Sequence, residues 1–203
     1  MSPEEGLRKS PKCWRDQQRI RREIARLFGK SQAEAALQGK VPYICGGRFM
    51  EAYLVSGDVL RIIDKIEASG RYPYSAGIYV GRLRRRKPAL IPSVDFLTYL
   101  YSVLGRPLRA LTVSESGLKP FLYGNDVLKA SVIRCHPPID EDEVVGVLGR
   151  DKVVYGVGLS KIASCRELRS LKPTDPVALN VFDVGWYVRG GTTLKERKFK
   201  LQG

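Results

Sequence analysis

Catalysis in this chain would have to be built from few parts. His136 is the single histidine, and any serine–histidine or histidine–carboxylate relay would need it as the base. It stands directly before Pro137-Pro138, which marks a loop, and nothing in the sequence suggests the geometry a relay needs. The densest carboxylate group, Asp140–Glu143, has the form of a solvated acidic loop, and no metal-ligand spacing accompanies it. Gly156-x-Gly158 follows an apolar strand pattern. It lacks the third glycine and the long helix that would set a helix N-terminus against a phosphate. There is no G-x-x-x-x-G-K-[ST] loop either, so backbone crowding inside a small barrel is the better use for these glycines. No catalytic residue, metal or cofactor is expected.

Positive charge is what the chain has in quantity. Lys+Arg number 35 against 21 Asp+Glu, for a net charge of +14 and a pI near 9.8. Coulomb attraction then favours a polyanionic partner, nucleic acid first, while an arginine-rich solvated surface is the plain alternative. The charge is uneven. Residues 1–113 hold 21 Lys+Arg against 10 Asp+Glu, and residues 114–203 hold 14 against 11. The densest run is Arg84, Arg85, Arg86 and Lys87. Pro88 disfavours helix before it, so the run belongs at a hairpin tip between strands at Gly77–Leu83 and Ala89–Ile91. There its guanidinium groups could lie along phosphates.

The elements that position these groups follow from periodicity. A helix over 14–28 puts Ile20, Ile24, Leu27 and Phe28 on one face. Arg15, Arg19, Arg22 and Arg26 form a stripe opposite, either a solvated outer side or a phosphate-binding one. Strands at Val41–Cys45 and Arg48–Val55 turn at Gly46-Gly47. Ser56 and Ser93 stand at helix N-caps, the second helix ending at Gly105. A strand at Arg109–Val113 closes an N-terminal domain of residues 1–113, and the small polar run Ser114–Lys119 is taken as the linker to a domain of residues 114–203. In that second domain Val132–Cys135, Val144–Leu148, Lys152–Leu159 and the uncharged Pro176–Phe182 are strands, and 192–203 is a polar basic tail. The four cysteines are scattered without a C-x-x-C pair and are expected as free thiols.

Two short segments say more. FLYGNDVLK at Phe121–Lys129 reads as a strand entering a Gly-Asn break, with Asn125 or Asp126 capping a new helix; DVGWYVR at Asp183–Arg189 is a second junction. Between them lies the β-rich run VVYGVGLS. This order resembles a PUA domain, and the wording of the two segments resembles the Nip-seven family of large-ribosomal-subunit biogenesis factors. The resemblance implies an α+β protein: an N-terminal antiparallel α/β domain, then a small PUA-type mixed β-barrel. It implies a non-catalytic RNA-binding factor in pre-rRNA processing, with pre-ribosomal RNA and pre-ribosomal proteins as partners, the RNA exosome among them. Carried over by position, it implies RNA contacts at Lys129, Arg134 and Arg189, with Tyr123 and Gly124 shaping the junction.

Lys161, Arg166, Arg169 and Lys172 are basic residues of the same half that extend this surface, and Arg84–Lys87 adds the hairpin. Tyr123 and Trp186 could stack on an unpaired base, although hydrophobic neighbours favour the core for both. The rival reading is an RNA-modification enzyme, by base exchange or methyl transfer, carrying a PUA domain. It would need a catalytic carboxylate among Asp16, Asp58, Asp64 and Asp95 or a cofactor loop. The N-terminal MSPEEGLRKSPK lacks an apolar signal core, and no apolar run approaches the ~20 residues of a membrane helix. A monomer in the cytoplasm is expected, or in the nucleolus of a eukaryote.

Overall fold

Asp16 opens the first helix by accepting the N–H of Arg19, which satisfies one of the donors a helix N-terminus leaves unpaired. That helix, α1 (Gln17–Phe28), buries Ile20, Ile24, Leu27 and Phe28, the face its periodicity foretold. The structure is a computed structural model and describes residues 12–46, 49–71, 73, 75–85 and 89–189. The chain forms two compact units, Met1–Arg85 and Arg86–Gly203.

In the first unit Gly29 separates α1 from a short α2 (Lys30–Leu37) that periodicity did not disclose. Strands β1 (Lys12–Arg15), β2 (Lys40–Gly46), β3 (Met50–Ser56) and β4 (Ile78–Leu83) are antiparallel neighbours in that order, and the short β5 (Leu90–Pro92) falls within the residues of the second unit. Register aligns Tyr43 with Tyr53 and Tyr53 with Tyr79. These rings pack with Val55 and with Ile63 of α3 (Gly57–Ala68). Ser56 is the N-cap residue of α3 as expected, but its hydroxyl makes no capping bond. Gly77, at φ +66°, is required: a Cβ there would lie 2.2 Å from the Leu54 carbonyl oxygen. The same sheet corrects the expectation of free thiols. Register sets Cys13 opposite Cys45 with Cα atoms 4.0 Å apart, and the pair is a disulfide.

In the second unit Ser93 accepts the N–H of Phe96 and caps α4 (Val94–Leu104), which ends at left-handed Gly105. A six-stranded sheet follows, ordered β7-β11-β10-β9-β6-β8: β6 (Ala110–Val113), β7 (Val127–Leu128), β8 (Val132–His136), β9 (Val144–Leu148), β10 (Val154–Ser160) and β11 (Pro176–Asp183). All pairings are antiparallel except β6 with β9. Its core holds Leu111, Val113, Phe121, Val127, Val145, Val147, Val177 and Ala178. The fold is therefore the α+β arrangement expected: an antiparallel sheet with helices, then a mixed barrel-like sheet.

Three details differ. Ser114–Lys119 is no linker: Ser114 accepts the N–H of Gly117 and caps α5 (Glu115–Leu122). The FLYGNDVLK junction runs in the opposite sense to that expected. Phe121-Leu122 ends a helix, Gly124 turns the chain at φ +90°, and Val127–Leu128 is a strand. Finally, β6 is hydrogen-bonded between β8 and β9, so the division of the chain at Arg85/Arg86 lies well before the expected boundary after Val113. The second disulfide, Cys135–Cys165, spans a Cα–Cα distance of 5.7 Å and ties β8 to the loop before β11.

Candidate nucleic-acid interface

The two signature segments meet in one buried network. Asn180 in β11 donates through Nδ2 to the Phe121 carbonyl at 2.8 Å, the Asn125 carbonyl at 3.3 Å and Asp183 Oδ2 at 3.1 Å. Its own N–H donates to Asp126 Oδ1 at 2.9 Å, so Asp126 clamps the strand rather than capping a helix. Asp183 is fully buried and receives both arms of Arg189, at 2.9 and 3.1 Å. Arg189 follows the short α6 (Gly185–Val188), where a Cβ on Gly185 would meet the Leu122 carbonyl oxygen at 2.2 Å. The second junction thus runs strand to helix, and the two segments are fastened to each other. A bidentate guanidinium–carboxylate pair shielded from water is among the stronger polar contacts a protein makes.

The remaining candidate residues separate by what already holds them. Lys161 is paired with Asp142 at 3.2 Å, and Arg189 is held as above. Lys129 is half-buried in a 3₁₀ turn, its N–H bonded to the Asp175 carbonyl. Arg134 is exposed on the edge strand β8. Arg166, Arg169 and Lys172 are exposed along the Cys165–Lys172 loop. Tyr123 corrects an expectation of core burial: it is 71% exposed, as is Tyr187, while Trp186 is half-buried and edge-on to Tyr187 at 5.3 Å between centroids. In the basic run Arg84 is half-buried and Arg85 exposed; Arg86 and Lys87, and with them the expected hairpin tip, lie outside the described residues, as does the 192–203 tail.

The arginines of the expected stripe are largely engaged. Arg15 lies in β1, not in the helix expected over 14–28, and pairs with Asp64, while Arg22 and Arg26 of α1 both reach the buried Glu23. Sequence reasoning also missed Arg109, which is buried and donates to Asp140 at 2.8 Å, so the acidic loop is partly an internal counter-charge. Positive φ at Arg109 and Asp142 gives no signal in composition or periodicity.

The candidate catalytic groups have other duties. His136 Nε2 lies 2.9 Å from Thr112 Oγ1 across the β6–β8 pairing, and partial burial, then the neighbouring Arg134 charge, lowers its pKa below the usual histidine value. A Cβ on Gly156 would meet the Phe182 carbonyl oxygen at 2.2 Å and the Phe121 ring at 2.6 Å, which is the crowding expected of a barrel glycine. Among the described residues no group of three or more His, Cys, Asp and Glu side chains is arranged to hold a metal ion. Among the described residues no helix is long and apolar enough to cross a membrane.

Residues 109–192 match the UPF0113 PUA domain family. A UPF0113 protein of Aeropyrum pernix is 30% identical over 146 residues, covering 72% of each chain. The chain belongs to the UPF0113 family. The UPF0113 match begins at Arg109, the residue before β6, which agrees with β6 being part of the second sheet. A further relative, the 60S ribosome subunit biogenesis protein NIP7 of Saccharomyces cerevisiae, is 40% identical over 82 residues, 40% of this chain and 45% of that protein. This UPF0113 chain therefore spans less than half the length of that yeast relative, and the resemblance to Nip-seven factors seen in its two signature segments is upheld. In three dimensions the chain resembles a hypothetical protein from the archaeon Pyrococcus horikoshii, with a TM-score of 0.59 at 15% identity over 87% of this chain and 99% of that one, which is a likeness of fold.

Proposed function

We propose that this UPF0113 protein is a non-catalytic RNA-binding factor in large-ribosomal-subunit biogenesis, acting on pre-ribosomal RNA beside pre-ribosomal proteins. The observation that carries this reading is the pattern of engaged and free cations on the second unit. Lys161 and Arg189 are held by carboxylates, while Arg134, Arg166, Arg169 and Lys172 are exposed with no ion pair to a carboxylate among the described residues. Exposed cations left without internal partners are what a phosphate backbone needs. Tyr123, exposed beside the Gly124 turn, adds an aromatic face on which an unpaired base can stack. The name of the yeast relative supplies the ribosomal context, and the basic run Arg84–Lys87 adds charge on the chain's more basic half.

The test is the affinity of the full chain for an unstructured RNA strand as salt is raised. Binding through phosphates lowers log K linearly with log salt, by about 0.7 for each contact on a single strand. Replacing Arg134, Arg166, Arg169 and Lys172 by serine should flatten that slope by about 3. An unchanged slope removes these residues from the interface, and no binding at low salt removes the RNA-binding reading itself.

A further inference from the structure

The loop before β11 has a three-residue repeat. Cys165, Leu168 and Leu171 pack against the core of the second unit, while Arg166, Arg169 and Lys172 are exposed. Backbone hydrogen bonding explains the period. The N–H groups of Glu167, Arg169 and Ser170 donate to the carbonyls of Ser164, Arg166 and Glu167, each three residues back, at 3.2, 3.2 and 3.0 Å. A 3₁₀ turn has three residues per turn, so side chains three apart stand above one another. One edge of the turn is therefore apolar and buried; Arg166 and Arg169 stand on the other, about 6 Å apart at ~2 Å rise per residue, and Lys172 follows beyond the end of the turn.

The row keeps its charge. The loop's own carboxylates are used by backbone donors: Glu167 Oε2 accepts the Ala163 N–H at 2.8 Å, and Asp175 Oδ2 accepts the Lys172 N–H at 2.7 Å. None of the three cations has an ion pair among the described residues, in contrast to Lys161.

The loop is fastened at both ends. At its far end the N–H groups of Lys129 and Ala130 donate to the carbonyls of Asp175 and Pro173 at 2.9 and 3.0 Å. At its near end the tie is covalent, Cys165 to Cys135 of β8, and both cysteines are only partly buried. The residue after Cys165 is Arg166, the first cation of the row.

We propose that Arg166, Arg169 and Lys172 form a phosphodiester-binding row whose grip on RNA depends on the Cys135–Cys165 disulfide. The proposal rests on the RNA-binding reading above. With the disulfide closed, the row is ordered before RNA arrives, so little freedom is lost on binding. A dithiol opens it by exchange. One thiolate of the reagent attacks a protein sulfur, the S–S bond breaks to a mixed disulfide, and the reagent's second thiolate closes its own ring. The reagent is oxidised by two electrons, and Cys135 and Cys165 each take up a proton as thiols. The near end of the row is then held by noncovalent contacts alone, among them the packing of Leu168 and Leu171 and the Ala163–Glu167 hydrogen bond.

The experiment measures the affinity of the full chain for oligouridylate against salt, oxidised and after dithiothreitol, with folding followed by circular dichroism. The variants are R166S/R169S/K172S, C135S/C165S, and C13S/C45S as a control for the other disulfide. The triple variant changes only exposed side chains. Expected is a salt slope about 2 shallower for the triple variant, three contacts at about 0.7 each. Dithiothreitol should weaken the wild type and the C13S/C45S variant toward that level. It should have no effect on C135S/C165S or on the triple variant. Equal binding by oxidised and reduced wild type overturns the dependence on the disulfide, and a triple variant that binds like wild type overturns the row. Absence of binding by the oxidised wild type at low salt overturns the RNA-binding reading, and this proposal with it.

Discussion

At the scale of single residues, the sequence discloses a side chain's type but not whether a neighbour has already claimed it. Lys161, Arg169 and Arg189 look alike in the chain, yet Asp142 holds the first, Asp183 holds the third, and only Arg169 is left for a partner. Tyr123 shows the same limit from the apolar side: its neighbours Phe121 and Val127 are core, and it is exposed. His136 gives a test at this scale. Burial and then Arg134 lower its pKa in the folded chain below the ordinary value of about 6.5, so the unfolded chain binds the proton more readily. Its contribution to stability is fully present above that ordinary value and is lost as pH falls below it toward the folded value. The urea midpoint of the wild type should therefore drop between about pH 7.5 and pH 5 by more than that of His136→Gln, which cannot titrate there. Equal drops would show that His136 is not what senses the proton.

At the scale of elements, most helices and strands were legible because their signals are local. Ser93 and Gly105 bracket α4, and the uncharged run at 176–182 is the buried strand β11. The α5–β7 junction was read in the wrong order because its direction is set by distant contacts. Asn180 and Asp126 are 54 residues apart, and Asn180 also holds the carbonyls of Phe121 and Asn125. Only β11 makes the segment after Gly124 a strand. The same contacts predict the effect of cutting them. Asp183→Asn keeps the shape of the side chain but leaves Arg189 shielded and without its charge partner. Breaking a buried ion pair on one side costs about 3 kcal/mol or more, so the denaturation midpoint should fall accordingly. Arg189→Ala should cost a comparable amount, and the double variant should cost less than the two single changes added together. Additive losses would mean that the pair does not act as a unit.

At the scale of the whole molecule, two features lay beyond any local pattern. The disulfides join positions 32 and 30 residues apart, and their pairing depends on strand register and on the path of the loop before β11, which spacing alone does not contain. The division of the chain was hidden for a related reason. Val113 ends a strand and Ser114 begins a polar run, which is what a linker looks like; but β6 is hydrogen-bonded to β9 on one side and β8 on the other, and Leu111 and Val113 belong to the second core. A fragment of residues 114–203 would remove a central strand, bare the facing edges of β8 and β9, and leave a gap where two buried aliphatic side chains stood. Each such side chain carries about 2–5 kcal/mol when removed, against a total stability of about 5–15 kcal/mol for a domain. A fragment of residues 86–203 keeps β6 together with α4, which packs on β10. The longer fragment should melt cooperatively by circular dichroism and the shorter one should show no transition. Cooperative melting of both would mean that β6 is dispensable to the fold its hydrogen bonds place it within.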